Sequence, residues 1–154
     1  MIEIPATLSQ ALERFLAVLE RDYSRLEAMT PAQAETPREP GKWTPKQIVG
    51  HLIDSAANNH GRFVRGQLEP QPTYVSYDQN AWMDLQNYAA RDWSELLTLW
   101  YAYNRHVLHL MKTVQLETLE HKFQNQDFTL EFLMRDYVRH LEHHLAQISS
   151  TPEF

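Results

Sequence analysis

Apolar residues recur every three or four positions through four long segments of this chain, and no segment alternates apolar and polar residues as a half-buried strand does. This spacing predicts an all-α fold, and four amphipathic segments of this length predict a four-helix bundle. Turn-forming residues gather in three predicted loops, at residues 30–41, 69–77 and 124–127. The second and third helices are joined by a long crossover, residues 69–91, which we expect to be ordered and to hold a short helix.

The predicted helices run from about Leu8 to Met29, from Thr44 to about Leu68, from Asp92 through Met111, and from about Thr129 to Ile148. Capping boxes mark the starts of the first two. Thr7 pairs with Gln10 before the first helix, and Thr44 pairs with Gln47 before the second, where Pro45 takes the first helical position.

Composition narrows the classes of function. The 154 residues fit one domain, assigned here to residues 1–154, and carry a formal net charge of −6 without any stripe of Lys and Arg, so we expect no nucleic-acid partner. No segment approaches the ~20 apolar residues of a membrane-spanning helix, so we expect no membrane partner. Because the chain has no cysteine and no signal-peptide pattern, we expect a cytoplasmic protein whose thiol chemistry, if any, uses a thiol from a substrate or cofactor.

Three histidines form the candidate metal site. His140 and His144 lie one turn apart beside the buried stripe of the fourth helix, so both imidazoles can reach one ion. His51 lies at the inward edge of the second helix. Three imidazoles from two helices would leave an open position on the ion, as in catalytic zinc sites.

The alternative is that the histidine pair arose by chance in a chain with eight histidines. His143 points toward solvent on the helical wheel, and four other histidines lack an inward-facing partner. Those four are expected to be surface or core-edge residues: His60, His106, His109 and His121. The HLEHH segment also lacks the HExxH arrangement of metalloproteases, because Glu142 faces the polar side of the helix.

Several other residues lie at positions where a structural or a substrate-binding role is expected. Asn59 and Asn104 lie on apolar helix faces, where each needs a hydrogen-bond partner or contacts a substrate. Asp136 lies one turn before His140 and either orients that imidazole or pairs with a neighbouring arginine. In the crossover, Tyr77 and Trp82 are the expected pocket wall.

Four segments carry a resemblance to a known family: GKWTPKQIVGHLIDS, YDQNAWM, LWYAYNRHVLHL and TLEFLMRDYVRHLEHHLAQI. The chain resembles the DinB superfamily, in its DinB-like/YfiT-like branch, over nearly its whole length. The resemblance implies an up-down-down-up four-helix bundle, with His51, His140 and His144 as ligands of a divalent ion, commonly nickel or zinc. It also implies a homodimer.

The same resemblance leaves the reaction open, because some relatives are thiol-dependent transferases or isomerases that use bacillithiol, mycothiol or glutathione, and others have no assigned activity. The leading hypothesis is a metal-dependent S-transferase that joins a low-molecular-weight thiol to a small electrophilic substrate. A close variant is a hydrolase that uses water in place of the thiol. The competing hypotheses are a non-enzymatic stress-response or ligand-binding bundle, in which the metal stabilises or senses, and a purely structural bundle.

Overall fold

The computed structural model describes residues 3–149, and nearly all of its regular structure is helical. The helices are α1 (Ala6–Glu27), α2 (Pro31–Ala34), α3 (Pro45–Leu68), α4 (Gln79–Gln86), α5 (Trp93–Lys112) and α6 (Leu130–Ser149), with 3₁₀ turns at Tyr88–Ala90 and Leu116–Thr118. An isolated antiparallel bridge joins Lys122 and Thr129. Among residues 3–149 there is no strand pairing beyond this single bridge. The all-α prediction is therefore confirmed, and the four long predicted helices correspond to α1, α3, α5 and α6.

Local capping sets where α3 begins. The Thr44 hydroxyl accepts a hydrogen bond from the backbone N–H of Gln47 at 3.1 Å, and the Gln47 side chain accepts one from the backbone N–H of Thr44 at 2.9 Å. This reciprocal pair satisfies two N–H groups at the helix start. The capping box predicted for α3 is confirmed, and it fixes the register that carries the histidine of this helix.

The capping box predicted for α1 is wrong. The helix begins at Ala6, after Pro5, so Thr7 lies inside the first turn rather than before it. The Thr7 hydroxyl instead donates to Glu131 Oε1 at 3.1 Å and ties α1 to α6.

Two short helices lie in the connections. The predicted short helix of the crossover is confirmed as α4, which begins where the Asp78 carboxylate accepts from two backbone N–H groups and ends at Asn87 with φ 49°. The segment predicted as the first loop also contains α2, which a second capping box initiates. Thr30 and Gln33 form that box around Pro31.

Contacts at the helix ends give the direction of each helix. The Trp93 indole N–H, at the start of α5, donates to the carbonyl of Leu26, at the end of α1, at 3.1 Å. These two helices are therefore antiparallel. The Arg25 guanidinium, near the end of α1, donates to the carbonyl of Leu145, near the end of α6, at 3.4 Å. Helices α1 and α6 are therefore parallel.

Helix α3 packs between α5 and α6. Near the end of α3, the Gln67 side chain accepts from the backbone N–H of Gln115, just beyond the end of α5, at 2.9 Å, so these helices are parallel. Gly66, also near the end of α3, lies against Leu130 at the start of α6, so that pair is antiparallel. The order up, down, down, up along the chain confirms the predicted topology.

The core is continuous between the four long helices. Some polar groups within it are paired, whereas Trp100 Nε1 and Asp54 Oδ2 are buried without a hydrogen-bond partner among the described residues. The Tyr137 hydroxyl donates to Asn104 Oδ1, and Asn104 Nδ2 donates to the carbonyl of Trp100 at 2.9 Å. Asn104 therefore has the structural role proposed for a buried amide. No helix among residues 3–149 combines the length and apolar character needed to cross a membrane.

Candidate metal centre

The antiparallel packing of α3 against α6 brings three histidines to one end of the bundle. His51 lies in the second turn of α3, a position set by the Thr44 cap, and it is almost fully buried. His140 and His144 lie on successive turns near the end of α6 and are half-buried. The structure thus places the three predicted residues together.

The three imidazoles converge through the same ring atom. His140 Nε2 lies 3.3 Å from His51 Nε2 and 3.1 Å from His144 Nε2. Zinc–nitrogen bonds of 2.0–2.1 Å in a tetrahedral site separate neighbouring ligand nitrogens by about 3.3 Å. Both Nε2–Nε2 distances are close to this expected separation between ligand nitrogens. One ligand atom from each of the three residues lies within 4.8 Å of the others. The donor set therefore fits a single ion.

The outer ring nitrogens indicate which tautomer is present. His144 Nδ1 lies 3.0 Å from Gln147 Oε1, and because a carbonyl oxygen only accepts, Nδ1 carries the proton and Nε2 presents its lone pair inward. His51 Nδ1 is buried and has no hydrogen-bond partner among the described residues. Sequence reasoning missed Gln147, although its position one turn after His144 was a usable signal.

Burial keeps these imidazoles neutral at pH 7. Burial and, to a smaller extent, the charges of His144 and His140 together lower the pKa of His51 to about 3. Burial likewise lowers the pKa of His140 to about 4, with the His144 charge as the next cause. For His144, burial lowers the pKa and the hydrogen bond to Gln147 partly opposes that shift. Neutral imidazoles are the form that binds metal ions.

Trp43 covers one side of the histidine cluster. Its ring centroid lies 5.0 Å from that of His51 and 6.3 Å from that of His144. The tryptophan directly precedes Thr44, so the cap that starts α3 also holds the indole against the site. The half-buried Trp43 thus lies at the site, whereas Trp93 and Trp100 are buried in the core.

Two cavities flank the cluster. The larger, about 510 Å³, reaches His144 and is lined by Arg38, Glu39, Gly41, Lys42, Trp43, Ile48, His144 and Gln147. The smaller, about 130 Å³, reaches His140 and is lined by Ser55, Asn59, Arg62, Tyr74, Tyr77, Leu133, Asp136, Tyr137 and His140. A ligand in either cavity would lie beside one of the converging imidazoles.

The two crossover residues expected in a pocket wall take different places. Tyr77 lines the smaller cavity. Trp82 packs edge-on against the Tyr77 ring, with centroids 5.4 Å apart, and is not itself part of the lining of this cavity. Asn59 also lines this cavity, and its amide donates to the carbonyl of Ser55 at 2.9 Å, so it has both a structural partner and access to a ligand.

Two acidic residues of α6 near the cluster form ion pairs. Asp136 forms an ion pair with Arg139 at 2.7 Å, the surface alternative that the sequence left open. Glu142 faces Arg14 at 3.1 Å, on the polar side of α6 as predicted. Neither carboxylate provides an obvious general base.

The remaining histidines lie outside the site. His121 Nδ1 donates to the carbonyl of Gly66 at 2.7 Å, and His60 Nδ1 lies 3.0 Å from the Tyr103 hydroxyl. His106, His109 and His143 are exposed. Within residues 3–149, the one group of three or more potential ligands that converge is the cluster described above.

The sequence is similar to a known family model and to several known bacterial proteins. The sequence model of the DinB superfamily matches residues 7–148. A Bacillus subtilis (strain 168) protein, YfiT, which is named as a candidate metal-dependent hydrolase, is 32% identical over 151 residues, covering 96% of this chain and 77% of that protein. A Bacillus cereus (strain AH820) protein with the same kind of name is 32% identical over 121 residues, covering 77% of this chain and 69% of that protein.

A solved structure agrees with the fold. The structure of YfiT from Bacillus subtilis, described as a candidate metal-dependent hydrolase with an unusual four-helix bundle topology, matches with a TM-score of 0.83 at 28% identity. The match covers 98% of this chain and 89% of that one.

Proposed function

Because the chain belongs to the DinB superfamily, we propose that His51, His140 and His144 hold one divalent metal ion and that the protein is a metal-dependent enzyme acting on a small molecule. The observation that carries the proposal is the convergence of three Nε2 atoms at 3.1 and 3.3 Å, the separation of neighbouring ligands around one zinc-sized ion. The names of the relatives as metal-dependent hydrolases support the same class.

The surrounding side chains support a catalytic rather than a purely structural centre. Three imidazoles leave at least one coordination position for a small molecule, whereas structural zinc sites use four protein ligands. Zinc and nickel both suit this ligand set. A bound divalent ion would act as a Lewis acid that lowers the pKa of a water or thiol which it coordinates. Trp43 lies against His51, which is itself buried, so this side of the histidine cluster is shielded from solvent.

Hydrolysis is the reaction best supported by the relatives' names, and thiol transfer is the second candidate. The observation favouring transfer is the size of the cavity beside His144, about 510 Å³, which has room for a co-substrate. Arg38 and Lys42 line it together with one carboxylate, that of Glu39, so the net positive charge would favour an anionic co-substrate. Since the chain has no cysteine, the thiol would come from that co-substrate.

The experiment compares metal-loaded and metal-free protein on two substrate panels. One panel contains activated esters and amides, and the other contains alkyl halides and epoxides with or without low-molecular-weight thiols. We expect turnover only with metal. A thiol requirement identifies transfer, and turnover without thiol identifies hydrolysis.

Histidine variants connect any activity to the site. His144→Ala should lose it, whereas His143→Ala removes an exposed imidazole from the adjacent position and should retain it. Ligand binding that persists without metal, with no turnover on either panel, would favour the alternative of a non-enzymatic stress-response or ligand-binding bundle.

Location and assembly belong to the same proposal. We propose a cytoplasmic homodimer that binds neither nucleic acid nor membranes. The family resemblance supports the dimer, and the net charge of −6 disfavours binding to nucleic acid. Sedimentation equilibrium at micromolar concentration would test the dimer, and a monomer throughout would reject it.

A further inference from the structure

Arg62 is a buried cation without an anionic partner. Its relative exposure is 5%, yet its hydrogen-bond acceptors are uncharged. Nε and one terminal nitrogen donate to the carbonyl of Val75 at 3.2 and 2.7 Å, and the other terminal nitrogen donates to Asn59 Oδ1 at 3.2 Å. No carboxylate in residues 3–149 lies within ion-pair distance of this guanidinium.

A buried charge without a counter-charge is costly, and proteins usually pair it. Burial lowers the pKa of Arg62, but a guanidinium remains protonated at neutral pH. The ring of Tyr74, 4.3 Å from the guanidinium carbon, offers only partial compensation through a cation–π contact. The Arg62 guanidinium is therefore a buried positive charge that could bind an anion from outside the chain.

The guanidinium borders the smaller cavity, the one that also reaches His140. Ser55 and Tyr77 line the same space, and burial raises the pKa of Tyr77, so its hydroxyl stays protonated. The one carboxylate in the lining belongs to Asp136, which is engaged by Arg139 at 2.7 Å. The cavity thus contains hydrogen-bond donors and the Arg62 charge, and its one carboxylate is paired with a second arginine outside the lining.

We propose that this cavity binds a carboxylate group of the substrate through Arg62, and so directs the rest of that molecule toward His140. A planar carboxylate matches the fork of a guanidinium, and a cavity of about 130 Å³ admits such a group with only a short stem. The assignment of the occupant as substrate rests on the proposed enzyme function. The anion site itself does not.

The experiment uses metal-free protein, so that failure of the metal site and failure of the anion site can be told apart. Propionate and its neutral isostere propionamide are titrated while the NMR signal of the Arg62 Nε–H is followed. We expect a saturable shift with propionate and none with propionamide. Equal responses to both would overturn the proposal, and tighter binding of inorganic phosphate than of propionate would overturn the assignment to a carboxylate.

Matched variants locate the bound anion. Arg62→Gln should weaken propionate binding by at least about tenfold, since a charged hydrogen bond is lost. Arg105→Gln makes the same change at an exposed arginine of α5 and should leave the affinity unchanged. For Arg62→Gln the response is read from neighbouring backbone signals. Undiminished binding in that variant would refute a role for Arg62.

A second variant gives an answer even if Arg62→Gln does not fold. Asp136→Asn removes the carboxylate from the cavity lining and leaves Arg62 intact, so propionate should bind several-fold more tightly. Unchanged or weaker binding in Asp136→Asn would contradict anion binding in this cavity. Propionate binding by a protein that takes up no metal would retain the anion site and reject the proposed enzyme.

Discussion

Gly50→Ala tests how the crossover is held against α3 beside His51. A Cβ atom at position 50 would lie 2.3 Å from Cδ2 and 2.5 Å from Cγ of the Tyr88 ring, distances that real Cβ contacts do not show. The ring must therefore move. Its hydroxyl donates to the buried Asp54 Oδ1 at 2.6 Å, so the movement also breaks a hydrogen bond to a carboxylate.

The change in the free energy of unfolding has three contributions, of which two are destabilising and one is stabilising. Overpacking costs about 1–3 kcal/mol, and loss of a hydrogen bond to a charged group costs about 1.5–3 kcal/mol. The higher helix propensity of alanine returns about 1 kcal/mol. The expected net loss is about 1.5 to 5 kcal/mol in the free energy of unfolding. With a urea m-value of about 2 kcal/mol/M, this corresponds to a fall of about 1–2.5 M in the urea midpoint.

Gly61→Ala in the same helix is the control. A Cβ there would meet only the end of the flexible Arg65 side chain, at 2.9 Å, which can swing away. Urea unfolding followed by circular dichroism should show Gly61→Ala unchanged or stabilised by up to about 1 kcal/mol. If Gly50→Ala were as stable as Gly61→Ala, the reasoning about the Tyr88 contact would be refuted.

Three further predictions concern stability. The pKa values of His51 and His140 are lowered in the folded protein, to about 3 and about 4, so the unfolded chain binds more protons below pH 6.5. Metal-free protein should therefore lose about 1.4 kcal/mol per histidine for each pH unit between 6.5 and 4, and chemical denaturation that showed no such loss would contradict the neutral buried pair. Tyr137→Phe removes the donor to the buried Asn104 Oδ1 and should cost about 1–3 kcal/mol; an unchanged urea midpoint would contradict this. Thr44→Ala removes the α3 cap and should cost about 1 kcal/mol by thermal unfolding, whereas Thr44→Ser should be nearly neutral.

Local signals in the sequence predicted the helices well where one short motif determines the result. Thr44, Pro45 and Gln47 satisfy the start of α3 among themselves, so no distant contact can easily displace that start. Thr7 offered a similar motif, but its hydroxyl is taken by Glu131 of α6, a tertiary partner that sequence spacing does not reveal. The box of Thr30 and Gln33 was a local signal too, hidden in a segment rich in turn residues.

The site was predictable in part. Spacing places His140 and His144 on one face of α6, but only the antiparallel packing with α3 brings His51 to them, and the family resemblance supplied that topology. Trp43 and Arg62 were not identified, for a common reason. Each is amphipathic, and whether its polar end reaches water depends on packing by the loop at residues 35–44 or by the crossover. Such burial is a property of the folded chain and not of the local sequence.

The most direct test of the central claim is the metal content of tag-free protein after incubation with zinc or nickel and removal of unbound ion. We expect about one equivalent in the wild type and in His143→Ala, and loss of most of it in His51→Ala and His144→Ala. Circular dichroism would establish that all four proteins are folded. A wild type without metal, or retention of a full equivalent in His51→Ala or His144→Ala, would contradict the three-histidine centre.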